Sequence, residues 1–294
     1  MFIIDAIPLT YLPISQPQIL SYFCKFDLKR GSIIEAPLGH KNLMAIVLNS
    51  APIASKKAVL KKADFTLRPI NKVISSKRII PSLFFLLADF ISRYYFCPLS
   101  LSLKIILPRR IKSLINYVGK LNLETIDSSK RIQLTRILKT KNKNLAFGEN
   151  FVSRFARNEI CFSNDFPGII RKIKYYLNHQ KQVLVLVPTV FYQNYYFSKL
   201  SSEIPQPLFI ASNDLKVKEF NSLWTKVDSS EAQLVIGRRS APFLPWNNLG
   251  FIVVIDGDNN SYKSWDQRPY YNSITLINYL ASFYNATITC YQNY

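Results

Sequence analysis

The chain has 294 residues, of which 38 are Lys or Arg and 18 are Asp or Glu, giving a formal net charge of +20. Its hydrophobic content of 48% is enough for the cores of about two domains of ordinary size. The excess of positive charge predicts a polyanionic partner such as nucleic acid, with a solubility charge or a general lysine bias as the alternative explanation.

Cysteine usage and the N-terminus predict a cytoplasmic protein. The cysteines and histidines are Cys24, Cys97, Cys161, Cys290, His40 and His179. No CxxC pair occurs among them, so a zinc site lacks its usual spacing, and we expect free thiols in a reducing compartment. The chain does not begin with a basic region followed by a long apolar one, and no window reaches 18 uninterrupted apolar residues. This pattern predicts neither secretion nor a membrane partner.

The first 75 residues are predicted to form a small β-barrel, because short apolar runs alternate with Pro, Gly and Asn turns. The predicted strands are Phe2–Ala6, Gly31–Ala36, Leu43–Leu48 and Arg68–Val73. The next segment, Pro81–Phe96, has apolar residues at helical spacing, which predicts an amphipathic helix with Pro81 in its first turn.

A basic segment follows and is the natural domain boundary. Between Lys104 and Lys143, eleven Lys and Arg residues accompany only two acidic residues. We interpret residues 107–150 as a short, basic, helical connector, with its helix at Arg131–Lys139. This divides the chain into three parts, residues 1–106, 107–150 and 151–294.

From Glu159 onward, predicted strands and helices alternate, which is typical of a parallel α/β sheet covered on both faces. The predicted strands are Glu159–Phe162, Val183–Val187, Leu208–Ala211, Leu234–Gly237, Phe251–Ile255 and Ala286–Cys290. The predicted helices are Pro167–Asn178, Phe191–Leu200, Leu215–Thr225 and Tyr271–Tyr284. Functional residues are expected at the carboxyl ends of these strands, and Asp256 directly follows one of them.

The stretch Leu234–Lys263 resembles the PriA family of bacterial replication-restart helicases. That family has a Gly-Thr-Arg-Ser-Ala element, a Pro-Phe/Trp-x-Asn-Leu-Gly loop, and an Asp-Glu-x-His box before Ser-Tyr-Lys. The matching positions are Gly237, Arg239, Ser240, Ala241, Pro245, Asn248, Leu249, Gly250, Asp256, Ser261, Tyr262 and Lys263. The resemblance implies a RecA-like fold for residues 151–294. It also implies DNA contacts by the residues after the first strand, with bracing of the sheet edge as the alternative. These residues are Arg238, Arg239 and Ser240.

The N-terminal part resembles the barrel with which this family binds the free 3′ end of a DNA strand. The match runs through Ile7–Leu9, Tyr22, Gly31, Ala36–Lys41 and Leu67–Ile70. In the family, a Phe-Asp-Tyr triplet, a turn glycine and a lysine form the pocket for the terminal nucleotide. The resemblance places these roles, and a further DNA contact at the end of the turn, on Leu20, Ser21, Tyr22, Gly39, Arg68 and Lys41. A plain turn glycine and a core tyrosine are the alternatives for Gly39 and Tyr22.

The nucleotide site of the family is altered at its charged positions. The family's phosphate-loop sequence Gly-Ser-Gly-Lys-Thr falls on residues 162–166, so Asp165 replaces the lysine and Phe166 the magnesium-binding threonine. A unit charge about 4 Å from a phosphate contributes about 4 kcal/mol at an effective dielectric constant of about 20, so the exchange of lysine for aspartate strongly disfavours nucleotide. The catalytic glutamate after Asp256 is also replaced, by Gly257.

We therefore expect a degenerate nucleotide site without ATP, magnesium, zinc or catalytic residues. Its residues are Ser163, Asn164, Asp165, Phe166, Asp256 and Gly257. The favoured function is non-catalytic binding of forked or single-stranded DNA, as an accessory to replication restart and primosome assembly. Further candidate partners are single-stranded-DNA-binding protein and other primosome proteins. The alternatives are an ATP-dependent helicase completed by C-terminal parts or a partner, and a scaffold for an acidic replication protein.

Overall fold

The structure is a computed structural model that describes residues 1–55, 66–76, 79–108, 110–120, 160–231 and 233–292. The chain divides into two compact units, Met1–Val118 and Gly119–Tyr294. The helix expected at Arg131–Lys139 and most of the expected connector lie outside the described residues. The three-part division of the chain therefore stays a prediction. Of the helices described, none combines the length and the apolar character needed to cross a membrane.

The first unit contains a six-stranded sheet that curls into a half-barrel, which confirms the expected N-terminal barrel. Its strands are β1 (Phe2–Pro8), β2 (Leu20–Cys24), β3 (Ile33–Leu38), β4 (Lys41–Pro52), β5 (Arg68–Pro69) and β6 (Lys72–Ser75). Their order is β5-β2-β1-β4-β3-β6. Strands β5 and β6 follow each other in the chain yet lie at opposite edges of this order, so the sheet must curl to bring its two edges together.

Two strand predictions for this sheet were incomplete. The expected strand Arg68–Val73 is two strands, because Ile70 N donates to Phe23 O at the β2 edge while Asn71 N donates to Glu35 O on β3. The backbone thus changes partner between these two residues. Strand β2 was not expected, since its five residues lie between turn-rich segments and contain a serine at a partly exposed position.

Among the described residues after this sheet are the helices α1 (Ser82–Tyr94), α2 (Leu99–Ile106) and α3 (Ile111–Lys120). Helix α1 confirms the amphipathic prediction, although Pro81 is its N-cap residue and not part of its first turn. Helix α2 was not expected because leucines at every second position give its short sequence the period of a strand. Helix α3 lies within the segment that its charge had assigned to the connector.

The second unit is an all-parallel sheet with alternating helices, which confirms the expected RecA-like α/β fold. Its strands are β7 (Ile160–Ser163), β8 (Gln182–Leu186), β9 (Leu208–Ala211), β10 (Leu234–Gly237), β11 (Leu249–Ile255) and β12 (Thr287–Tyr291). Its helices are α4 (Phe166–Asn178), α5 (Val190–Glu203), α6 (Val217–Asp228) and α7 (Ser273–Tyr284). The strand order is β7-β12-β11-β8-β10-β9, with parallel pairing throughout.

Burial of the central strands explains why the sequence predicted them well. Strands β8, β10 and β11 are buried at every residue, as expected for a parallel sheet covered on both faces. Their pairing places Leu234 and Phe251 on either side of Val183. All carboxyl ends of the strands consequently lie along one edge of the sheet. The loops that begin with Asn164, Arg238 and Asp256 leave from this edge.

Candidate nucleic-acid interface

Three of the residues expected to bind a DNA end converge on the turn between β3 and β4. Strands β2 and β5 pair in parallel with Tyr22 opposite Arg68. The Arg68 guanidinium donates a hydrogen bond to the backbone oxygen of Gly39 at 3.0 Å, and the Tyr22 hydroxyl donates to the Pro37 oxygen at 3.2 Å. Both side chains therefore hold the hairpin turn in place.

Charge and burial differ between these side chains. Tyr22 is only 4% exposed, and burial raises the pKa of its hydroxyl, an effect that the Arg68 charge partly opposes. The hydroxyl is thus a neutral donor at physiological pH. Arg68 is exposed, and a guanidinium has several N–H donors, so the bond to Gly39 leaves donors for an incoming phosphate.

Gly39 leaves open space above the turn. Its φ angle of +60° is in the left-handed region, where a side chain is strained, yet a Cβ placed there would meet nothing within 4 Å. The glycine is therefore required by the backbone conformation and not by packing. Lys41 begins β4 on the other side of the same turn and is exposed.

The other two pocket residues are placed differently. Leu20 packs against the barrel core beside Tyr22. Because side chains of a strand alternate between its faces, Ser21 lies on the opposite face. Its hydroxyl donates to Asp5 Oδ1 on β1 at 2.8 Å. Asp5 was not among the expected residues, and only the register of β1 against β2 pairs the two positions.

In the second unit, Asp165 occupies the helix end at which a phosphate loop would bind its anion. Only Asn164 and Asp165 lie between β7 and α4. Asp165 is the N-cap of α4, where its carboxylate accepts from Gly168 N at 2.9 Å and from the Arg171 guanidinium at 3.3 Å. Ser163 Oγ in turn accepts from Asp165 N. A carboxylate thus uses the exposed N–H groups that would otherwise attract phosphate.

Phe166 belongs to a buried aromatic cluster. Its ring centroid lies 5.5 Å from that of Tyr196 and 5.2 Å from that of Tyr291, and Lys199 Nζ is 4.0 Å from the centroid of Phe166. Burial is the main cause that raises the pKa of Tyr196, followed by Tyr291 and other neighbours, including Asp256. An aromatic ring at position 166 offers no oxygen to a cation.

The residues after β11 are held by neighbouring polar groups. Asp256 has a left-handed φ of +52°, its backbone N donates to Tyr291 O at 2.9 Å, and its carboxylate accepts from Asn259 Nδ2 at 2.8 Å. A Cβ at Gly257 would lie 2.7 Å from Cys290 Sγ, so a larger residue there requires a shift of this thiol. Across the described ranges, no group of three or more His, Cys, Asp or Glu side chains is arranged to hold a metal ion.

The arginines after β10 both contact acidic loop residues. Arg238 donates to Asp214 Oδ2 at 3.1 Å, and Arg239 donates to Asp266 Oδ1 at 2.7 Å. Their side chains are 25% and 33% exposed. Ser240 Oγ lies 3.4 Å from Asn213 Oδ1. These contacts fit the alternative in which the two arginines brace the edge of the sheet. The exposed part of each guanidinium can still contact a phosphate.

The remaining motif residues have structural roles. Trp246 is 2% exposed and its indole N–H donates to Ala241 O at 3.1 Å, so it packs inside the loop. Phe243 is buried as well. The Asn248 amide accepts from Lys181 Nζ at 2.7 Å and donates to Gln180 O at 2.9 Å, which fixes the start of β11.

Comparison with known proteins agrees with this geometry. Residues 10–108 match a family model described as 3'DNA-binding domain (3'BD). The chain is 27% identical over 263 residues to replication restart protein PriA of Helicobacter pylori (strain 26695), covering 89% of this chain and 38% of that protein. It is 26% identical over 227 residues to the PriA of Borreliella burgdorferi, covering 76% of this chain and 34% of the relative.

The chain thus spans less than two fifths of the length of these curated relatives. The alignment with the Helicobacter pylori protein covers 263 residues and is longer than either compact unit, so the similarity extends over both. Together with the half-barrel and the parallel sheet, these matches show that the chain is similar to the replication restart protein PriA over both of its units.

Proposed function

We propose that the chain binds forked or single-stranded DNA without hydrolysing nucleotide, as an accessory to replication restart and primosome assembly. The observation that carries the proposal is the convergence of Tyr22, Gly39 and Arg68 at one turn, within the segment that matches a 3'DNA-binding domain. The net charge of +20 supports a polyanionic ligand.

In this proposal, the turn receives the free 3′ end of a strand. The exposed Arg68 guanidinium pairs with a phosphate near the end, and the open space above Gly39 admits the terminal nucleotide. Tyr22 is buried and acts as a positioning residue, because its hydroxyl holds the Pro37 carbonyl.

Fluorescence anisotropy with labelled DNA tests this function. We expect a fork with a free 3′-hydroxyl to bind more tightly than blunt duplex or a fork blocked by a 3′-phosphate. We also expect the logarithm of the association constant to fall with the logarithm of salt concentration. Binding that is absent or insensitive to salt would reject the proposal.

The Arg68→Ala variant tests the role of the turn. Loss of one charge-assisted hydrogen bond should weaken binding of the 3′-tailed fork by roughly tenfold, and the preference over the blocked fork should shrink. Arg110→Ala is the matched control, because Arg110 is an exposed arginine of the same unit outside the turn. Equal losses in both variants would point to nonspecific attraction and not to end binding.

The absence of nucleotide hydrolysis is supported by three contacts. The Asp165 carboxylate caps α4, Phe166 is buried among aromatic rings, and position 257 faces Cys290 at close range. Calorimetric titration with ATP and magnesium should therefore show no saturable heat. Nucleotide turnover that is lost in Asp256→Ala would instead favour the helicase alternative.

A protein partner is a separate proposal, since the +20 charge would also attract an acidic tail such as that of single-stranded-DNA-binding protein. A competition experiment distinguishes the two ligands. If the chain is primarily a DNA-binding protein, an acidic tail peptide should displace DNA only at concentrations that other polyanions also require. Displacement at far lower concentrations would favour the scaffold alternative.

A further inference from the structure

Helix α5 has an unusual distribution of polar and apolar side chains. Its polar residue Gln193 is 3% exposed, whereas Phe191 and Tyr195 are 76% and 52% exposed. Surface helices of globular proteins ordinarily turn their apolar stripe toward the core. Here the core takes Gln193, Tyr196 and Leu200, while two aromatic rings face solvent.

The exposed rings form part of one continuous row. Phe191 and Tyr195 are four residues apart, and Lys199 is four residues further along, so the three side chains lie one above another on the same helix face. We call these residues the α5 row. Adjacent exposed apolar side chains on a soluble domain commonly mark a binding surface.

A cation at the end of the α5 row favours an anionic ligand. Lys199 Nζ lies 5.8 Å from the centroid of the Tyr195 ring and 4.0 Å from that of Phe166, so an ammonium group stands at the end of the row. Within α5 (Val190–Glu203), Lys199 is the basic residue and Glu203, at the end of the helix, is the acidic one.

Exposed aromatic rings combined with cations are the combination that single-stranded nucleic acids require. Every base has a flat face that stacks on an aromatic side chain, and cations neutralise the phosphates between bases. The lysine at the end of the row and the chain's net charge of +20 therefore favour nucleic acid over a protein partner.

We propose that the α5 row is a base-stacking surface for single-stranded DNA. Its residues are not those of the turn of the first unit or of Arg238–Ser240, and the proposal rests on the proposed DNA-binding function. Bases of a strand stack on the Phe191 and Tyr195 rings, and the Lys199 ammonium pairs with a neighbouring phosphate. Because stacking does not read hydrogen-bonding groups, binding here should tolerate any sequence.

Circular single-stranded DNA tests this surface, because it has bases and phosphates but no 3′ end. The Phe191→Ala and Tyr195→Ala variants should each bind it about tenfold more weakly, as expected for loss of one stacked base. Tyr195→Phe should retain the affinity, since the ring remains. Tyr175→Ala is the matched control, because Tyr175 is 58% exposed on α4 but lies outside the row.

A strand with abasic sites separates stacking from charge. Wild-type protein and both alanine variants should bind abasic DNA with equal affinity. Lys199→Ala should reduce the slope of the logarithm of the association constant against the logarithm of salt concentration by about one, with or without bases, because one phosphate contact is lost. Unchanged binding of circular DNA by Phe191→Ala and Tyr195→Ala would overturn the inference. If the fork preference of the wild-type protein persists in that case, the proposed function stands. If the wild-type protein binds no DNA, both fail.

Discussion

At the start of α4, the Asp165 side chain occupies the N–H groups of the helix end that could otherwise bind an anion. The Asp165 carboxylate accepts from Gly168 N and Arg171, so it satisfies donors that are otherwise left open at a helix N-terminus. An anion in this position also repels any phosphate that approaches along the same N–H groups. In the proposed function, the residue that excludes phosphate is therefore also a structural residue of the helix.

Replacing Asp165 tests this double role. Asp165→Ala should destabilise the second unit by about 1 kcal/mol through loss of the cap, while Asp165→Asn should be nearly neutral because asparagine also caps helices. Asp165→Lys should lose the cap without restoring ATP binding, since Phe166 remains. Thermal unfolding and ATP titration of the three variants measure these effects. Nucleotide binding by Asp165→Lys alone would show that a single charge had been the obstacle.

Gly257 is a second residue whose size matters. Because its Cβ position lies 2.7 Å from Cys290 Sγ, Gly257→Glu should cost about 1–3 kcal/mol, the range of overpacking substitutions. Cys290→Ala should relieve this contact, so the Gly257→Glu/Cys290→Ala double variant should lose less stability than the sum of the single changes. Denaturant unfolding of all four proteins gives the coupling energy. Strict additivity would mean that the thiol is not the obstacle.

At the scale of elements, the aromatic cluster of Phe166, Tyr196 and Tyr291 predicts that the folded state loses stability at alkaline pH. Burial and neighbouring groups raise the pKa of the Tyr196 hydroxyl above its ordinary value of 10.0. The folded state then binds this proton more tightly than the unfolded state. The associated stability is complete below pH 10 and is lost as the pH rises above it.

Tyr196→Phe measures this contribution. The variant should lose less stability between pH 9 and pH 11 than the wild-type protein, because one buried hydroxyl no longer has to ionise on unfolding. Circular dichroism during denaturant titration at each pH follows the change. Tyr175→Phe, at an exposed tyrosine of α4, is the control. Identical pH profiles for the wild-type protein and Tyr196→Phe would contradict the effect.

The elements differ in how well sequence alone predicted them. Continuous apolar runs such as Leu234–Gly237 gave strands with the same bounds in the structure, because burial on both faces leaves a simple pattern. Strand β2 and helix α2 were missed, since short elements carry weak periodicity and their stability comes from packing against distant residues.

The candidate site also has features that the sequence predicted and contacts that it could not predict. The resemblance to the PriA family placed Asp165 where that family has a lysine, and this replacement stays a prediction. The sequence could not predict that Arg68 bonds to Gly39 or that Gly257 faces Cys290. These contacts depend on the register of strands that are far apart in the chain. The Asp214 and Asp266 partners of Arg238 and Arg239 were missed for the same reason.

At the scale of the whole molecule, two units carry different parts of the proposed function. The first has an exposed cation at an open turn. The second has a parallel sheet, and a carboxylate and aromatic rings lie where the start of α4 leaves the carboxyl edge of that sheet. The proposed function, DNA binding without nucleotide hydrolysis, rests on both of these features.

Phosphate release during DNA binding tests this account most directly. The purified chain is mixed with ATP, magnesium and a fork carrying a free 3′ end, and anisotropy and phosphate are recorded together. We expect salt-dependent fork binding whose affinity is the same with and without ATP, and no phosphate release above that of the fork alone. DNA-stimulated phosphate release, or the absence of fork binding, would contradict the account.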